Sequence, residues 1–404
     1  MKRLCITIDF FPISGGARAI VSEVWRAFHK DYEVHFLTIP PSGYSGQYRI
    51  HRLQKVRRHY APCNPALFPL NLLYVLWGTT SLLKLNKHYR FDAILAQDGV
   101  FTGLYSSIVG KLTNTKVVIM DYGATTNYLS DAYWDFQKAV ENPAKRMLYS
   151  LHTWLLRKSA SVTISITAKI ADKFAVLGYE LAEIYHRMQI PSSKIGIIQY
   201  SVDENFYAPL EEGKTARKQE LGISQDSIVV NATCRLSQEK GIEYLMPALK
   251  QVVDEKDEVV CLVVGSGIMQ NFASRFIREN NLERKIRLMG EATPRRVRDL
   301  LQISDIFVYA GVTGSNVSLA VLEAMATKCA VVASNSPKSH EKLLADNRGI
   351  VVLVKNSPEI SRAILLLAND AALRKRMGER SREWVIENHS VKSLKAKITT
   401  LLGA

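Results

Sequence analysis

The sequence predicts an α/β protein built from two parallel-sheet domains. Three observations point there. Short, β-branched apolar runs alternate with helical patterns along the whole chain. These runs are continuously apolar, as strands buried on both faces are, rather than alternating between apolar and polar. The 404 residues are enough for two domains of ordinary size, and the polar, charged run "APLEEGKTARKQELG" breaks the pattern near the middle.

The elements follow in order. "KRLCITIDFF" reads as a first strand, with the glycine turn "PISGGARA" and a helix from about Ile20 to His29 behind it. "YEVHFLTI", "FDAILAQD", "TKVVIMDY" and "SVTISIT" read as further strands, and "KIGIIQYSV" closes a first domain of residues 1–206. The polar run then leads into a helix and a second domain, 207–379, with strands "DSIVVNATCRL", "VVCLVVGSG", "KIRLMG", "IFVYAG", "AVVASN" and "GIVVLV". In open parallel sheets ligands bind beyond the C-terminal ends of the strands, so the turns after these runs are where function is sought.

Composition narrows the class. A content of 47% hydrophobic and 23% charged residues is that of a soluble globular protein. The five cysteines show no metal-ligand spacing; Cys5, Cys234, Cys261 and Cys329 lie in apolar runs and read as reduced core residues of a cytoplasmic protein. Asp9 interrupts the first apolar run too early for a signal peptide, and Ala66–Trp77 is too short to span a bilayer. The net charge is +15: residues 1–206 hold 24 Lys and Arg against 15 Asp and Glu, and the remainder 29 against 23. The densest cluster, "RIHRLQKVRR", contains Arg49, Arg52, Lys55, Arg57 and Arg58, and "NLLYVLW" and "KLNKHYR" follow it. A basic, aromatic segment of this kind suits an anionic membrane surface. A polyanion, or plain solvated surface, fits the same charge.

Four turns carry chemistry. Gly15 and Gly16 follow the first strand and expose backbone N–H groups that could approach a phosphate. Arg235 and Lys240, in "CRLSQEKG", are two cations able to clamp a diphosphate and stabilise it as a leaving group. Gly265 and Gly267, in "VVGSGIMQ", begin a GxGxxG pattern in which Gln270 stands at the third glycine. In "SNVSLAVLEAMATKCAVVAS", Ser315, Asn316 and Ser318 are helix N-caps, and Leu319, Leu322 and Ala326 share one helical face. There Glu323 leans toward the loop end, where unpaired N–H groups favour phosphate and a carboxylate can accept bonds from ribose hydroxyls. Each feature also has an ordinary reading: tight turns for the glycines, a solvated loop for the cations and a solvated helix face for Glu323.

Taken together, "PISGGARA", "IIQYSVDENFYAP", "CRLSQEKGIEYLMPAL", "LVVGSG", "SNVSLAVLEAMATKCAVVAS" and "MGERSREWVIENHSVKSL" resemble, in order and rough spacing, the retaining glycosyltransferases of family 4. The resemblance covers nearly the whole chain. It implies the GT-B arrangement, two Rossmann-like domains with parallel sheets facing a central cleft, and helices of about 380–404 packing back on the N-terminal domain. It implies a nucleotide-sugar donor on the C-terminal domain, the acceptor on the N-terminal side, and neither metal nor other cofactor. Residue by residue it assigns Arg235 and Lys240 to the donor diphosphate and Glu323 to the ribose. The backbone of Asn316, Val317, Ser318 and Leu319 is assigned to the phosphate and sugar, Gly15, Gly16, Gly265 and Gly267 to close approach of the donor, and Arg18 to the acceptor side. The chain departs from the pattern in four places. Ser315 replaces a sugar-binding Glu, and Tyr122, beside Asp121, replaces a His; Asp121 is the candidate substitute carboxylate. Tyr200-Ser201-Val202-Asp203 stands for Asn-Gly-Val-Asp. Lys328 occupies a glycine position, where a left-handed conformation costs about 1 kcal/mol.

The expected function is transfer of a hexosyl group from a UDP- or GDP-sugar to a lipid-linked or polysaccharide acceptor, in the cytoplasm and peripherally on the inner face of the membrane, with no nucleic-acid partner. A catalytically degenerate scaffold that binds a membrane or polyanion is the alternative. A nicotinamide-dependent enzyme is a weaker one, since Glu283, at the right distance from the glycines, precedes "KIRLMG" instead of ending a strand.

Overall fold

A computed structural model describes residues 1–10, 15–39, 50–52, 70–123, 143–210, 212–313, 317–336 and 338–403. The chain divides into two compact units, one of Met1–Gln199 with Leu394–Ala404, the other of Tyr200–Ser393. The division falls earlier than the expected 206/207, and the return to the first unit later than the expected 380 or so. The reason is packing: Val202 and Tyr207 are buried with Leu322, Met325 and Val385 in one core of the second unit. Val202 also donates its N–H to the His389 carbonyl at 2.8 Å, which fixes both ends of this stretch to each other.

The first unit contains a parallel sheet in the order β3-β2-β1-β4-β5-β6-β7. Its strands are β1 (Lys2–Phe10), β2 (Tyr32–Ile39), β3 (Ile50–Arg52), β4 (Ala93–Ala96), β5 (Lys116–Asp121), β6 (Lys173–Leu177) and β7 (Ile195–Ile198). Two expectations are corrected here. The helix after β1 spans Gly15–Phe28, so the two glycines open the helix and do not precede it. "SVTISIT" is not a strand: it lies inside the helix Pro143–Ile170. Its β-branched residues suggest a strand, but Leu156, Ala160, Thr163, Ile164 and Thr167 are buried at helical spacing, so tertiary packing overrides propensity. The strand expected there is supplied by β6, "KFAVL", just beyond.

On one side of this sheet three helices pack in a row. The helix Phe101–Thr113 is central: the backbone at Gly78 of the helix Leu70–Tyr89 lies against the Tyr105 ring, and Gly103 meets Thr167 of Pro143–Ile170. A Cβ at Gly78 would sit 2.5 Å from that ring, so glycine is required for the approach.

The second unit holds a parallel sheet in the order β10-β9-β8-β11-β12-β13. Its strands are β8 (Ile228–Thr233), β9 (Val259–Val264), β10 (Ile286–Gly290), β11 (Ile306–Tyr309), β12 (Ala330–Ser334) and β13 (Ile350–Val352). Every strand expected in this half is present. Side chains of β9 alternate strictly between two cores: Val259, Cys261 and Val263 join one with the helices Ile242–Glu255 and Ser357–Asn369, while Val260, Leu262 and Val264 face Leu300 and Ile303 on the other. Burial on both faces is what the continuous apolar runs imply. Cys5, Cys261 and Cys329 are buried free thiols, as expected, and burial pushes the Cys261 thiol up to about 12.

Candidate functional site

In the second unit the chain leaves β8 first to one side, to β9, and later to the other, to β11. The switch point of a doubly wound sheet therefore lies beyond the C-terminal ends of β8 and β11, where ligands bind. The loop after β8 carries Arg235 and Lys240. The loop after β11 leads, past residues outside the described ones, to Val317, Ser318 and the helix Leu319–Ala326.

Three loops are locked together by backbone. Cys234 N–H bonds the Val264 carbonyl (3.0 Å), Leu236 N–H the Ser266 carbonyl (2.9 Å), and Met269 N–H the Leu236 carbonyl (2.8 Å). Gly265 and Gly267 are what permit this: their φ values are +129° and +155°, and a Cβ would lie 1.9 Å from the Cys234 carbonyl oxygen and 2.4 Å from that of Leu236. The sequence assigned these glycines to the donor; the structure places them against the backbone that presents Arg235. Gly241, which sequence reasoning missed, does the same on the other side. Its φ is +67°, its Cβ position lies 2.0 Å from the Ala310 carbonyl oxygen, and Val312 N–H bonds the Glu239 carbonyl at 2.9 Å. The loops after β8, β9 and β11 thus form one rigid rim.

The two cations differ in setting. Arg235 is largely exposed and pairs with Glu239 one turn on, an exposed ion pair of small net value. The Lys240 ammonium lies 3.4 Å from the Tyr309 hydroxyl and 5.5 Å from its ring centroid. Tyr309 in turn stands edge-on to His340, at 5.2 Å between centroids.

His340, another residue the sequence did not single out, is fully buried. Its Nδ1 lies 3.0 Å from the Ser334 carbonyl oxygen and its Nε2 3.3 Å from the Ser318 backbone nitrogen. The pattern fixes one tautomer: Nδ1–H donates to the carbonyl and Nε2 accepts from the amide. Burial lowers its pKa to about 4, the Ser334 bond acting in the opposite direction and Lys240 adding to the fall, so it is neutral near pH 7. The Ser318 amide, expected to face a phosphate, is therefore committed to His340. The amides of Leu319 and Ala320, in the first turn, are the ones a helix leaves without an internal acceptor. Ser318 is the N-cap by position, but its hydroxyl makes no capping bond.

Glu323 projects from the same helix and is half-buried. Its Oε1 accepts a bond from the Tyr207 hydroxyl at 2.8 Å. Tyr207 is placed by the "YSVD" turn: Asp203 Oδ1 accepts from the Asn205 and Phe206 amides at 3.1 and 3.0 Å, and the Tyr207 N–H bonds the Asp203 carbonyl. Burial raises the Glu323 pKa to about 7, the Tyr207 bond pulling it back. The helix ends at Lys328 with φ +64°, the left-handed position expected of it. Cys329 N–H bonds the Ala324 carbonyl and Lys328 N–H that of Met325, a Schellman closure built without glycine.

A pH dependence follows. The folded chain takes up a proton at Glu323 between the ordinary 4.5 and about 7, so the stability this carboxyl contributes is full at low pH and lost as pH rises through about 7. Glu323→Gln, which keeps an acceptor for Tyr207, is expected to melt with the parent near pH 4.5 and to be more stable by about 1–2 kcal/mol at pH 8, allowing for solvent screening. Parallel melting curves across that range would show that Glu323 is ionised without penalty.

The remaining candidates lie in the first unit or outside the described residues. Gly15, Gly16 and Arg18 occupy the first turn or two of the helix Gly15–Phe28. Ser315 and Asn316 lie outside the described residues. Asp121 ends β5 fully buried, with Oδ1 accepting the Gly123 N–H at 2.8 Å and Oδ2 the Tyr185 hydroxyl at 2.6 Å. Oδ1 thus closes the local turn and Oδ2 ties it to the helix Gly178–Arg187, so both oxygens of Asp121 have partners within the unit. Tyr122 follows it, half-buried.

Comparison with known proteins agrees with this geometry. Residues 213–384 match the model of the family described as Glycosyl transferases group 1. The Escherichia coli UDP-Gal:alpha-D-GlcNAc-diphosphoundecaprenol alpha-1,3-galactosyltransferase is 21% identical over 308 residues, 75% of this chain and 73% of that protein. A Corynebacterium glutamicum GDP-mannose-dependent monoacylated alpha-(1-6)-phosphatidylinositol monomannoside mannosyltransferase is 24% identical over 208 residues, 50% of this chain. The match spans about half, 54%, of that mannosyltransferase's length. The crystal structure of Anabaena HepE in complex with UDP superposes with a TM-score of 0.70 at 16% identity, covering 100% of both chains. The fold is thus the GT-B class that the sequence predicts.

Proposed function

We propose, from the match of residues 213–384 to group 1 glycosyltransferases, that the chain moves a hexosyl group from a UDP- or GDP-sugar to a lipid-linked or saccharide acceptor, with retention at the anomeric carbon and without a metal ion. The observation that carries this reading is the rim at the switch point: Arg235 and Lys240 on a loop locked by backbone, beside the first turn of the helix Leu319–Ala326 and the carboxyl of Glu323. The rim suits a diphosphate on the cations and the helix N-terminus, and a ribose on Glu323. In the transfer, the bond from the anomeric carbon to the diphosphate oxygen breaks as the acceptor hydroxyl oxygen bonds that carbon. The hydroxyl proton passes to the departing phosphate. Negative charge grows on the leaving diphosphate, where fixed cations stabilise it most. The similarity to enzymes whose names specify UDP-galactose with a diphosphoundecaprenol acceptor, and GDP-mannose with a phosphatidylinositol mannoside, supports the donor class and a lipid-linked acceptor.

A thermal-shift series with UDP, GDP, ADP and NAD, with and without EDTA, tests this. Stabilisation by UDP or GDP, unaffected by EDTA and reduced in Arg235→Ala, is the expected result. Stabilisation by NAD alone would replace the reading with an oxidoreductase. Silence toward all four would favour the degenerate scaffold.

A further inference from the structure

The helix Pro143–Ile170 presents an outward stripe that the donor site does not use. Met147, Leu151, Trp154, Val162 and Ile166 follow one another at spacings of three, four or eight, and are exposed to 75%, 53%, 56%, 59% and 44%. These positions share one side of a helix about 42 Å long. Their buried counterparts, such as Leu156, Ala160 and Ile164, face the unit's interior. Large apolar side chains in a continuous line on a solvated face mark an interaction surface.

Charge says what kind. Lys158 lies within the stripe itself, its ammonium 6.0 Å from the Trp154 ring centroid, and Lys169 is exposed at its end. The helix contains Lys145, Arg146, Arg157, Lys158 and Lys169, and no acidic residue. The same holds for the other two helices of the row, Phe101–Thr113 beside it and Leu70–Tyr89 beyond, which add exposed Leu112, Leu73 and Leu76. Together the three helices comprise 61 residues with eight Lys and Arg and not one Asp or Glu. At the chain's own frequency, 38 acids in 404 residues, five or six would be expected. One helix layer has therefore been kept free of negative charge while exposing leucines and a tryptophan. A protein partner's patch tolerates mixed charge at its rim. A bilayer with anionic headgroups instead repels every carboxylate near it, favours Lys and Arg at headgroup level and takes Trp and Leu below. Among the described residues no helix is long and apolar enough to cross a membrane, so the contact is with the surface.

We infer that this layer, centred on the stripe of Pro143–Ile170, is the face by which the protein lies on an anionic lipid surface. The inference sharpens the peripheral location expected from the sequence, which looked to residues 49–58 and 71–90. Of these, only the helix Leu70–Tyr89 belongs to the layer; the basic cluster lies largely outside the described residues. The inference rests on the proposed function only in that a lipid-linked acceptor would lie at such a surface.

Flotation of the full chain with vesicles of phosphatidylcholine alone, or mixed with phosphatidylglycerol, tests it without donor or acceptor. Binding should appear on the anionic vesicles, fall at high salt, and weaken about tenfold in Leu151→Glu/Trp154→Glu. Lys158→Ala/Lys169→Ala should weaken it by a similar factor. These exposed positions should leave the melting temperature and the nucleotide response unchanged, so a failure here is distinct from a failure of the donor site. Undiminished binding of either variant, or equal binding to neutral vesicles, overturns the inference. So does a dimer in sedimentation velocity that Leu151→Glu/Trp154→Glu dissociates, since the stripe would then be an interface between copies.

Discussion

Lys240→Ala should lower kcat/KM for transfer about a hundred- to a thousandfold while leaving the melting temperature close to that of the parent chain. The Lys240 ammonium is positioned by the Tyr309 hydroxyl and ring, and its backbone by the Gly241 turn, so the charge is held in place before a donor arrives. A preorganised cation needs no reorientation as charge builds on the leaving group, and it acts mainly on the transition state. The loss should therefore fall on kcat, with a smaller change in KM. Arg235→Ala removes a more exposed cation, already paired with Glu239, and should cost less. The double variant should lose less than the product of the two factors, because both act on one diphosphate. The measurement is turnover of whichever nucleotide sugar carries the stabilising base, read as nucleoside diphosphate release. Parent-like turnover by Lys240→Ala would remove the loop after β8 from the chemistry.

Gly265→Ala should be among the most damaging single-methyl changes in the second unit, a loss of about 3–5 kcal/mol in urea denaturation. Two penalties coincide. The residue sits at φ +129°, and its new Cβ would meet the Cys234 carbonyl oxygen at 1.9 Å, which is backbone and cannot swing aside. Gly290→Ala is the internal control. It too has a positive φ, +67°, but nothing lies within 4 Å of its Cβ position, so only the conformational term of about 1 kcal/mol remains. If the two variants lose equal stability, the close approach of the loops is not what holds the rim.

Much of this could be read from the sequence, for identifiable reasons. Buried parallel strands leave continuous apolar runs, and all six in the second unit were legible in that way. Arg235, Lys240 and Glu323 drew notice because strand ends are few and polar residues on them stand out, and the structure places them on the connections that follow β8 and β11. The left-handed Lys328 was found because the helix had to stop before β12. What failed has physical reasons too. "SVTISIT" has strand composition, and only the burial of Thr163, Ile164 and Thr167 against neighbouring helices makes it helical. Gly-Ser-Gly was read toward a phosphate only, and its approach to the loop after β8 went unread, since the freedom that admits a phosphate also admits another loop. Tyr207 and His340 were missed because their partners are remote: 116 residues separate Tyr207 from Glu323, and 22 separate His340 from Ser318. Asp121 looked available because Tyr185, which engages it, is 64 residues away.

The interlocked loops separate two kinds of inheritance in this unit. What sets the position of the cationic loop is main chain against main chain, at Gly241, Gly265 and Gly267. What sets its chemistry is a handful of side chains that contribute little to holding it there. Drift at the chemical positions can therefore explore new donors without risk to the architecture, while drift at the three glycines is closed off from the start. A lineage built on such a rim can change the side chains that face a ligand and keep its backbone, because Gly241, Gly265 and Gly267 are positions where any side chain would meet main chain.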